Sequence, residues 1–301
     1  MMARHQYSIR EIGMQYDLDK VIDDALLGDA GAMQFLASRY YNGDGVEKNL
    51  QLAFSWTRLA SDHGYDWADS SLAMFYIYGD GVEKNYREAV RLFKRASATL
   101  PLAAMQLGYM YMEGAGVRKN NRTAFKYFSR AAAGSIDCPT VVHSIYCIGF
   151  FYQNGLGLER NIERAIRYLK KAAGLGDKMA LAALAKIYHD GDGVKPDLDR
   201  AIMYLERGAA AGDIVSKAFL SFYYYERNNQ KSDQENAFKL ASKLAESGIY
   251  FGQLLLCTFY EEGFGVEEDE ELSLYWYERA EKNKIKTLDV PFGVKASDMG
   301  F

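Results

Sequence analysis

Apolar and small side chains recur along the chain at fixed distances from a glycine-containing loop, and each copy of this pattern predicts two helices. A large apolar residue stands seven positions before the first glycine, a small residue six before it and a tyrosine three before it. The apolar residue and the tyrosine are four apart, which places them on one face of a helix. The tyrosines of the seven copies are Tyr40, Tyr76, Tyr111, Tyr152, Tyr188, Tyr224 and Tyr260. We call the helix that ends at the loop helix A.

A second helix, helix B, is predicted after the loop in each copy. Six residues after the first glycine stands an asparagine or aspartate, a favoured N-cap because its side chain accepts a backbone N–H of the first helical turn. These N-cap candidates are Asn49, Asn85, Asn120, Asn161, Asp197, Asp233 and Asp269. Glycines such as Gly64 and Gly176 near the end of helix B are consistent with a left-handed C-cap. Each copy is therefore expected to be helix, tight turn, helix.

The loop reads Gly-x-Gly-Val, or Gly-x-Gly-Leu, in six of the copies. Its first glycines are Gly43, Gly79, Gly114, Gly155, Gly191 and Gly263. They are spaced by 36, 35, 41, 36 and 72 residues, and 72 is two periods of 36, so a glycine-free copy is expected near Arg227. We interpret one glycine as ending helix A in a left-handed conformation and the next as reversing the chain without a Cβ clash. A phosphate-binding loop would follow a strand, whereas here a helix precedes the loop.

These patterns predict an all-α fold, an α/α solenoid of about seven repeats over residues 31–280. The expected repeats lie near 31–66, 67–101, 102–142, 143–178, 179–214, 215–250 and 251–286. Residues 1–30 are interpreted as a lead-in and a capping helix, since a terminal repeat exposes one face to water. Residues 281–301 are interpreted as a C-terminal tail. Two alternatives stay open for this tail: that it caps the last helix, for instance with Phe292, or that it lies in a groove.

The run Leu107–Val117, Leu-Gly-Tyr-Met-Tyr-Met-Glu-Gly-Ala-Gly-Val, followed by Ala124, Tyr127, Ala131 and Ala132, resembles a Sel1-like repeat, a relative of the tetratricopeptide repeat. The resemblance recurs in seven copies and covers nearly the whole chain. It implies a right-handed superhelix that serves as a protein-interaction scaffold without catalysis of its own. In bacteria, proteins of this family act in signalling, in host interaction and as immunity partners of secreted toxins.

In tetratricopeptide-like superhelices the side of helix A opposite its buried face lines a concave groove, and here that side is rich in aromatic and methionine side chains. Exposed apolar patches usually mark interaction sites, where Tyr, Trp, Phe and Met are enriched. The candidate partner-binding residues, called the groove residues below, are Trp67, Met74, Ile77, Met105, Tyr109, Met112, His143, Tyr146, Phe150, Phe222, Tyr225 and Phe251. The alternatives are that superhelical curvature buries them between repeats, or that the tail occupies the groove.

Composition narrows the classes of partner and compartment. Lysine and arginine number 36 and aspartate and glutamate 40, and the net charge of −4 argues weakly against nucleic acid, which usually demands a basic face. The 3 cysteines show no paired spacing, so no disulfide framework is expected. No apolar run approaches the roughly 20 residues that span a bilayer, and the N-terminus lacks the apolar core of a secretory signal. We expect a soluble, cytoplasmic protein, or a periplasmic one if a signal peptide has been removed.

Residues suited to catalysis or metal binding are few. The 4 histidines are His5, His63, His143 and His189, and no His-x-x-x-His, Cys-x-x-Cys, nucleophile-elbow or phosphate-loop motif is present. His143 and Cys147 are four apart on one predicted helix, so a thiol–imidazole contact is conceivable, but no third group orients it. We expect no enzyme, no catalytic residue, no metal and no cofactor.

The function expected is that of a non-enzymatic protein–protein interaction scaffold whose groove residues bind an effector, toxin or signalling protein. The sharper version, a bacterial regulatory or toxin-immunity protein, rests on the family resemblance and not on a motif. The alternative is a solenoid that binds a small molecule, a lipid or a glycan, although a long groove without converging polar groups favours a protein. If the groove residues are buried, the convex helix B face becomes the default site. Candidates there are Arg58, Lys94, Arg95, Arg130, Lys170 and Lys171.

Overall fold

The computed structural model describes residues 18–283, and within that range the chain forms fifteen α-helices and no β-strand. The predicted all-α fold class, a solenoid of helix pairs, is confirmed. Contacts between residues divide the chain into two units, one containing residues up to Ser144 with Leu156–Leu158, and the other Ile145–Gly155 with residues from Glu159 onwards. The predictions for residues 1–17 and for the tail, including His5 and Phe292, lie outside the described residues.

The first unit is a succession of antiparallel helix pairs, each packed on the next along the chain. Its helices are α1 (Leu18–Leu26), α2 (Ala30–Asn42), α3 (Leu50–Asp62), α4 (Asp66–Tyr78), α5 (Tyr86–Ala96), α6 (Pro101–Glu113) and α7 (Asn121–Ala131). Helix α1 lies in the region expected to cap the first repeat, and its Ala25 packs with Met33, Leu36, Ala60 and Ala68. The helix A and helix B segments thus alternate as the periodicity predicts.

The second unit repeats this arrangement. Its helices are α9 (Ile162–Gly174), α10 (Lys178–Asp190), α11 (Leu198–Ala210), α12 (Ile214–Arg227), α13 (Lys231–Glu246), α14 (Tyr250–Glu262) and α15 (Glu270–Asn283). The remaining helix, α8 (Pro139–Asn154), begins in the first unit and ends in the second. The spacing of 41 residues is explained here, because α8 has 16 residues where α6 has 13, and residues 132–138 form a longer connection before it.

The small residue of helix A admits the following helix B at close range. A Cβ on Gly108 would lie 2.8 Å from the ring of Phe128, which is fully buried. One helical turn further on, Tyr111 stacks on Tyr127 with ring centroids 5.5 Å apart, and Tyr152–Tyr168 and Tyr188–Tyr204 repeat this stack. The recurring tyrosine therefore belongs to the packing between helices A and B, where offset stacking adds to the burial of apolar surface.

The N-caps of helix B are confirmed in six of the seven copies. The side chains of Asn49, Asn85, Asn120, Asn161, Asp197 and Asp269 each accept the backbone N–H three residues ahead, at 2.9 to 3.1 Å. Each cap also donates its own backbone N–H to the tyrosine carbonyl of helix A, as from Asn120 to Tyr111 at 2.7 Å. One asparagine or aspartate thus fixes the start of helix B and ties it to the end of helix A.

Removing one of these caps should destabilise the chain measurably. We expect Asn120→Ala to lower the free energy of unfolding by about 1 kcal/mol, because the N–H of Thr123 loses its acceptor. Asn120→Asp keeps an acceptor at the same place and should change it by no more than a few tenths of a kcal/mol. Urea unfolding followed by circular dichroism measures both, and an equal loss in the two variants would contradict the capping role.

The first glycine of each loop ends helix A in the left-handed region, as predicted. Gly43, Gly79, Gly114, Gly191 and Gly263 are the C-caps, with φ between +66° and +85°. The second glycine also has a positive φ, and from the second loop onwards it makes a close contact that the sequence interpretation did not include. A Cβ on Gly81 would lie 2.4 Å from the carbonyl oxygen of Leu50, at the start of the preceding helix B. This glycine therefore permits successive repeats to approach backbone to backbone.

The glycine-free copy differs from the predicted pattern, and the N-cap assignment of Asp233 was wrong. Helix α12 ends at Arg227 and is capped by Asn228. Among the non-glycine residues between 18 and 283, Asn228 is the one with a positive φ, +33°. Helix α13 begins at Lys231, so Asp233 lies inside its first turn and not before it. Arg227 donates to both carboxylate oxygens of Asp233, at 3.1 and 2.5 Å, and the N–H of Asn229 donates to it at 3.3 Å. An ion pair therefore holds this loop where glycines hold the others.

Candidate functional site

The groove residues of the first unit are partly exposed, and Trp67 is the most open of them. The Trp67 side chain, in the first turn of α4, has 39% of its surface exposed. Met74 and Ile77 on the same helix are half-buried and pack against the core that α3 to α6 share. Met105 and Met112 on α6 are also half-buried. Their helical spacing places these side chains on one side of helix A, with Trp67 offering the largest accessible ring.

Tyr109 and His143 form a polar pair among these side chains. The Tyr109 hydroxyl lies 2.7 Å from His143 Nε2, and the ring of Tyr109 packs edge-on against Phe128 with centroids 5.0 Å apart. Both residues are half-buried. Tyr109 is therefore held by the core on one side and by the next helix A on the other, so its replacement would disturb the fold as well as any bound partner.

The groove residues of the second unit pack against one another. The rings of Tyr146 and Phe150 have centroids 6.3 Å apart, and those of Phe222 and Phe251 6.4 Å apart. Burial raises the pKa of Tyr146 far above that of an exposed tyrosine. Phe251 is buried, with 7% of its surface exposed, and the other three are half-buried. In this unit Phe251 contributes mainly to the core, and the other three side chains keep part of their surface exposed.

Tyr225 is hydrogen-bonded to an acidic residue, Glu262, which the sequence interpretation did not include among the groove residues. Its hydroxyl donates to Glu262 Oε2 at 2.8 Å, and its ring contacts Phe259 and Phe264. Burial and this hydrogen bond raise the pKa of Tyr225 to about 12. Tyr41 donates in the same way to Asp80, 39 residues further along the chain. The sequence signal was available, because an acidic residue stands beside the first glycine one repeat after each of these tyrosines.

The alternative site on helix B consists of cations that partly serve the fold. Lys94 lies over the ring of Tyr111 at 5.8 Å, and Lys170 over that of Tyr188 at 6.0 Å. Arg95 donates to the buried carboxylate of Asp69, its Nε lying 2.7 Å from Oδ2. These contacts stabilise helix pairs and leave much of each cation exposed.

The described residues hold no group of three or more His, Cys, Asp and Glu side chains placed to bind a metal ion. Cys147 is buried, Cys138 and Cys257 are half-buried, and all three are free thiols. None of the helices between residues 18 and 283 is long and apolar enough to cross a membrane.

An open cleft of about 590 Å³ lies in the second unit, between α14 and α15, and none of the groove residues lines it. Its walls are Cys257, Tyr260, Glu261, Glu268, Asp269, Glu270, Ser273, Leu274 and Tyr277. Four of these lining residues are acidic: Glu261 at the end of α14, and Glu268, Asp269 and Glu270 after it. Asp269 and Glu270 stand at the start of α15, where negative charge stabilises a helix.

Comparison with protein families identifies the repeat. A family model described as Sel1 repeat matches seven segments of the chain, residues 30–65, 68–98, 101–135, 143–177, 178–213, 215–249 and 251–284. Comparison with curated proteins finds no match.

Solved structures with a similar fold include two with more than a quarter of their residues identical. A Sel1 repeat protein from Oxalobacter formigenes is 28% identical with a TM-score of 0.60, and the match covers 84% of this chain and 85% of that one. The protein c5321, a protective antigen of uropathogenic Escherichia coli strains with an SLR fold, is 26% identical with a TM-score of 0.65, and the match covers 89% of this chain. It covers 64% of c5321, so this chain spans less than two thirds of that protein. Immunity protein Pa5087 from Pseudomonas aeruginosa is 19% identical with a TM-score of 0.45, over 75% of this chain and 88% of that one.

Proposed function

The chain belongs to the Sel1 repeat family, whose model matches it in seven segments, and we propose that it is a scaffold that binds a partner protein through the groove residues. Sel1 repeat proteins are generally non-enzymatic and mediate protein interactions. The proposal therefore assigns recognition, and not catalysis, to the partly exposed side chains of helix A.

The observation that carries this proposal is the exposure of Trp67 within a row of half-buried aromatic and methionine side chains. A half-buried ring is already ordered by its neighbours, so it loses little conformational freedom when a partner covers the rest of its surface. Methionines such as Met74 and Met105 adapt to the shape of what covers them. Together they provide rigid anchors and adaptable contacts on one side of the helix.

Within this function we propose that the partner is a toxin or a regulatory effector in a bacterial cell, as the family resemblance implies. The test is genetic. A captured partner that arrests growth when expressed alone, and that ceases to do so when this chain is co-expressed, supports an immunity role. A partner without toxicity points instead to a regulatory effector or another scaffolded protein.

We expect Trp67→Ala to weaken binding of the partner by about thirty-fold, equivalent to about 2 kcal/mol, because buried aromatic anchors dominate interface energies. Leu52→Ala is the matched control, since Leu52 is 42% exposed but lies on helix B, and it should change affinity less than about two-fold. The measurement is capture of the partner from the native cell, followed by calorimetric titration of the identified protein with each purified variant.

Circular dichroism would establish that both variants fold. Equal affinities for wild type, Trp67→Ala and Leu52→Ala would move the binding surface away from the groove residues of the first unit. A loss in Leu52→Ala alone would place it on helix B.

A further inference from the structure

Positive charge is concentrated in one part of the first unit. Residues 81–135 contain ten lysines and arginines and three glutamates, a net charge of +7 in a chain whose net charge is −4. An excess of this size on a small part of the surface creates a local field that attracts anionic groups.

Six of these cations occupy equivalent positions in two neighbouring repeats. They stand 8, 12 and 16 residues after the first glycine, and we call them the basic grid: Arg87, Arg91 and Arg95 on α5, and Arg122, Lys126 and Arg130 on α7. All six are exposed. A spacing of four residues along a helix is about 6 Å and keeps side chains on one face, so each helix presents three cations in a row.

Intramolecular ion pairs engage only part of the basic grid. Arg91 pairs with Glu88 at 2.5 Å, and Arg95 pairs with Asp69. Within residues 18–283 no ion pair involves Arg87, Arg122, Lys126 or Arg130. Four of the six cations are therefore available to an external anion without breaking an existing pair.

Two of the arginines stand where a cation is unfavourable for the helix itself. Arg87 and Arg122 are the second residues of α5 and α7, close to the positive end of the helix dipole. At the equivalent position α9, α11 and α15 carry Glu163, Asp199 and Glu271, which the dipole favours. Helix stability therefore does not explain Arg87 and Arg122, whereas recognition of an anion does, since both the guanidinium and the helix end attract it.

We propose that the basic grid is a docking surface for an acidic α-helix of the partner protein. Carboxylates at positions i, i+4 and i+8 of such a helix are about 6 Å apart, which matches the rows of cations on α5 and α7. The inference rests on the proposed function in that it requires a protein partner, but it concerns helix B and not the groove residues.

A protein helix fits this surface better than a nucleic acid or an anionic membrane. A nucleic acid and an anionic membrane are extended polyanions, so they interact with the charge of the whole chain. An acidic helix is short enough to contact only the surface of the basic grid. The net charge of −4 for the whole chain also disfavours an extended polyanion as the partner.

The test uses two synthetic helical peptides of identical composition. One carries its glutamates at i, i+4 and i+8 on a single face, and its isomer has them distributed around the helix. Fluorescence anisotropy at about 50 mM salt, where charges are weakly screened, should show the one-faced peptide binding at least about five-fold more tightly than the isomer. The triple variant Arg87→Glu/Arg122→Glu/Lys126→Glu should bind it at least about ten-fold more weakly than wild type.

The choice of variants separates an effect on folding from an effect on peptide binding. The new carboxylates at Arg87 and Arg122 lie where the helix dipole favours them, so the variant's melting temperature should not fall. The control Arg167→Glu/Lys171→Glu/Arg207→Glu reverses the same number of exposed charges on helix B of the second unit, 12 and 16 residues after the first glycine, and it should change peptide affinity less than about two-fold. Trp67→Ala should leave peptide binding unchanged.

Several outcomes would overturn the inference. These are equal binding of the two isomers, an equal loss in the control variant, or tighter binding of a DNA duplex or of phosphatidylglycerol vesicles at the same salt. Self-association of the chain in sedimentation that the triple variant abolishes would assign the basic grid to a second copy instead. If the triple variant loses peptide binding while Trp67→Ala still captures the partner, the groove proposal fails and the docking surface stands. If Trp67→Ala loses the partner while the triple variant still binds the peptide, the docking surface fails and the groove proposal stands.

Discussion

Replacement of Gly116 by alanine should lower the free energy of unfolding by about 3 kcal/mol or more, whereas the same replacement at Gly45 should cost about 1 kcal/mol. Both are the second glycine of their loop, with φ of +70° and +75°. The left-handed backbone therefore penalises alanine similarly at the two positions. The difference comes from the surroundings. A Cβ on Gly116 would lie 2.4 Å from the carbonyl oxygen of Tyr86, while the nearest atom to one on Gly45 is Arg39 Nη1 at 3.9 Å.

The clash at Gly116 cannot be relieved by a side chain turning away, because the opposing atom belongs to the backbone at the start of α5. Either the loop or the preceding helix must move, and the packing between two repeats loosens. Urea unfolding followed by circular dichroism compares the variants. An equal loss at Gly45 and Gly116 would show that backbone conformation alone accounts for the glycine, and that the approach between repeats contributes nothing.

Gly45 and Gly116 also show why the sequence predicted the backbone conformation of these glycines but not their contacts with the preceding repeat. Their period and their place after a helix were enough to assign a left-handed turn, because those are properties of one repeat. The close approach to Tyr86 is a property of two repeats together. Nothing within one loop distinguishes a glycine that faces solvent from one that faces a neighbouring backbone.

The groove residues show in the same way that a periodic pattern predicts the position of a side chain but not its burial. Helical spacing assigned Trp67 and Phe251 to the same kind of position, since both stand twelve residues before a first glycine or its equivalent. In the structure Trp67 is 39% exposed and Phe251 7%. The difference depends on the side chains of neighbouring helices, as in the contact of Phe251 with Phe222, and a periodic pattern does not include them.

The basic grid was accessible from the sequence but requires a comparison between repeats. Net charge over the whole chain hides it, because acidic residues elsewhere compensate. Comparing the eighth position after the glycine across repeats separates Arg87 and Arg122 from Glu163 and Asp199. In a repeat protein the informative quantity is thus the departure of one copy from the others at an equivalent position.

Asp233→Asn should lower the free energy of unfolding by about 3 kcal/mol, although Asp233 occupies the position that is an N-cap in the other repeats. Its side chain is 1% exposed and is paired with Arg227, whose side chain is 19% exposed. An amide in its place removes the negative charge. Arg227 then keeps only its ion pair with Asp199, whose carboxylate lies 3.0 Å away and is largely exposed. Asp197→Asn, at the equivalent position of the preceding repeat, is the control and should cost less than about 0.5 kcal/mol, since asparagine is an equally good N-cap.

The same pair predicts how stability depends on pH. Hydrogen bonds from Arg227 lower the pKa of Asp233, against the opposing effect of burial. A carboxyl whose pKa is lower in the folded chain contributes its full stability above the unfolded value of about 3.9, and loses it as the pH falls through the folded value. Below about pH 4 the free energy of unfolding of the wild type should therefore fall more steeply than that of Asp233→Asn, because carboxyls such as Glu88 contribute equally to both. Urea unfolding at a series of pH values measures the free energy of unfolding of both proteins. If it falls with pH equally in the wild type and in Asp233→Asn, Arg227 does not hold the Asp233 carboxylate in its charged form.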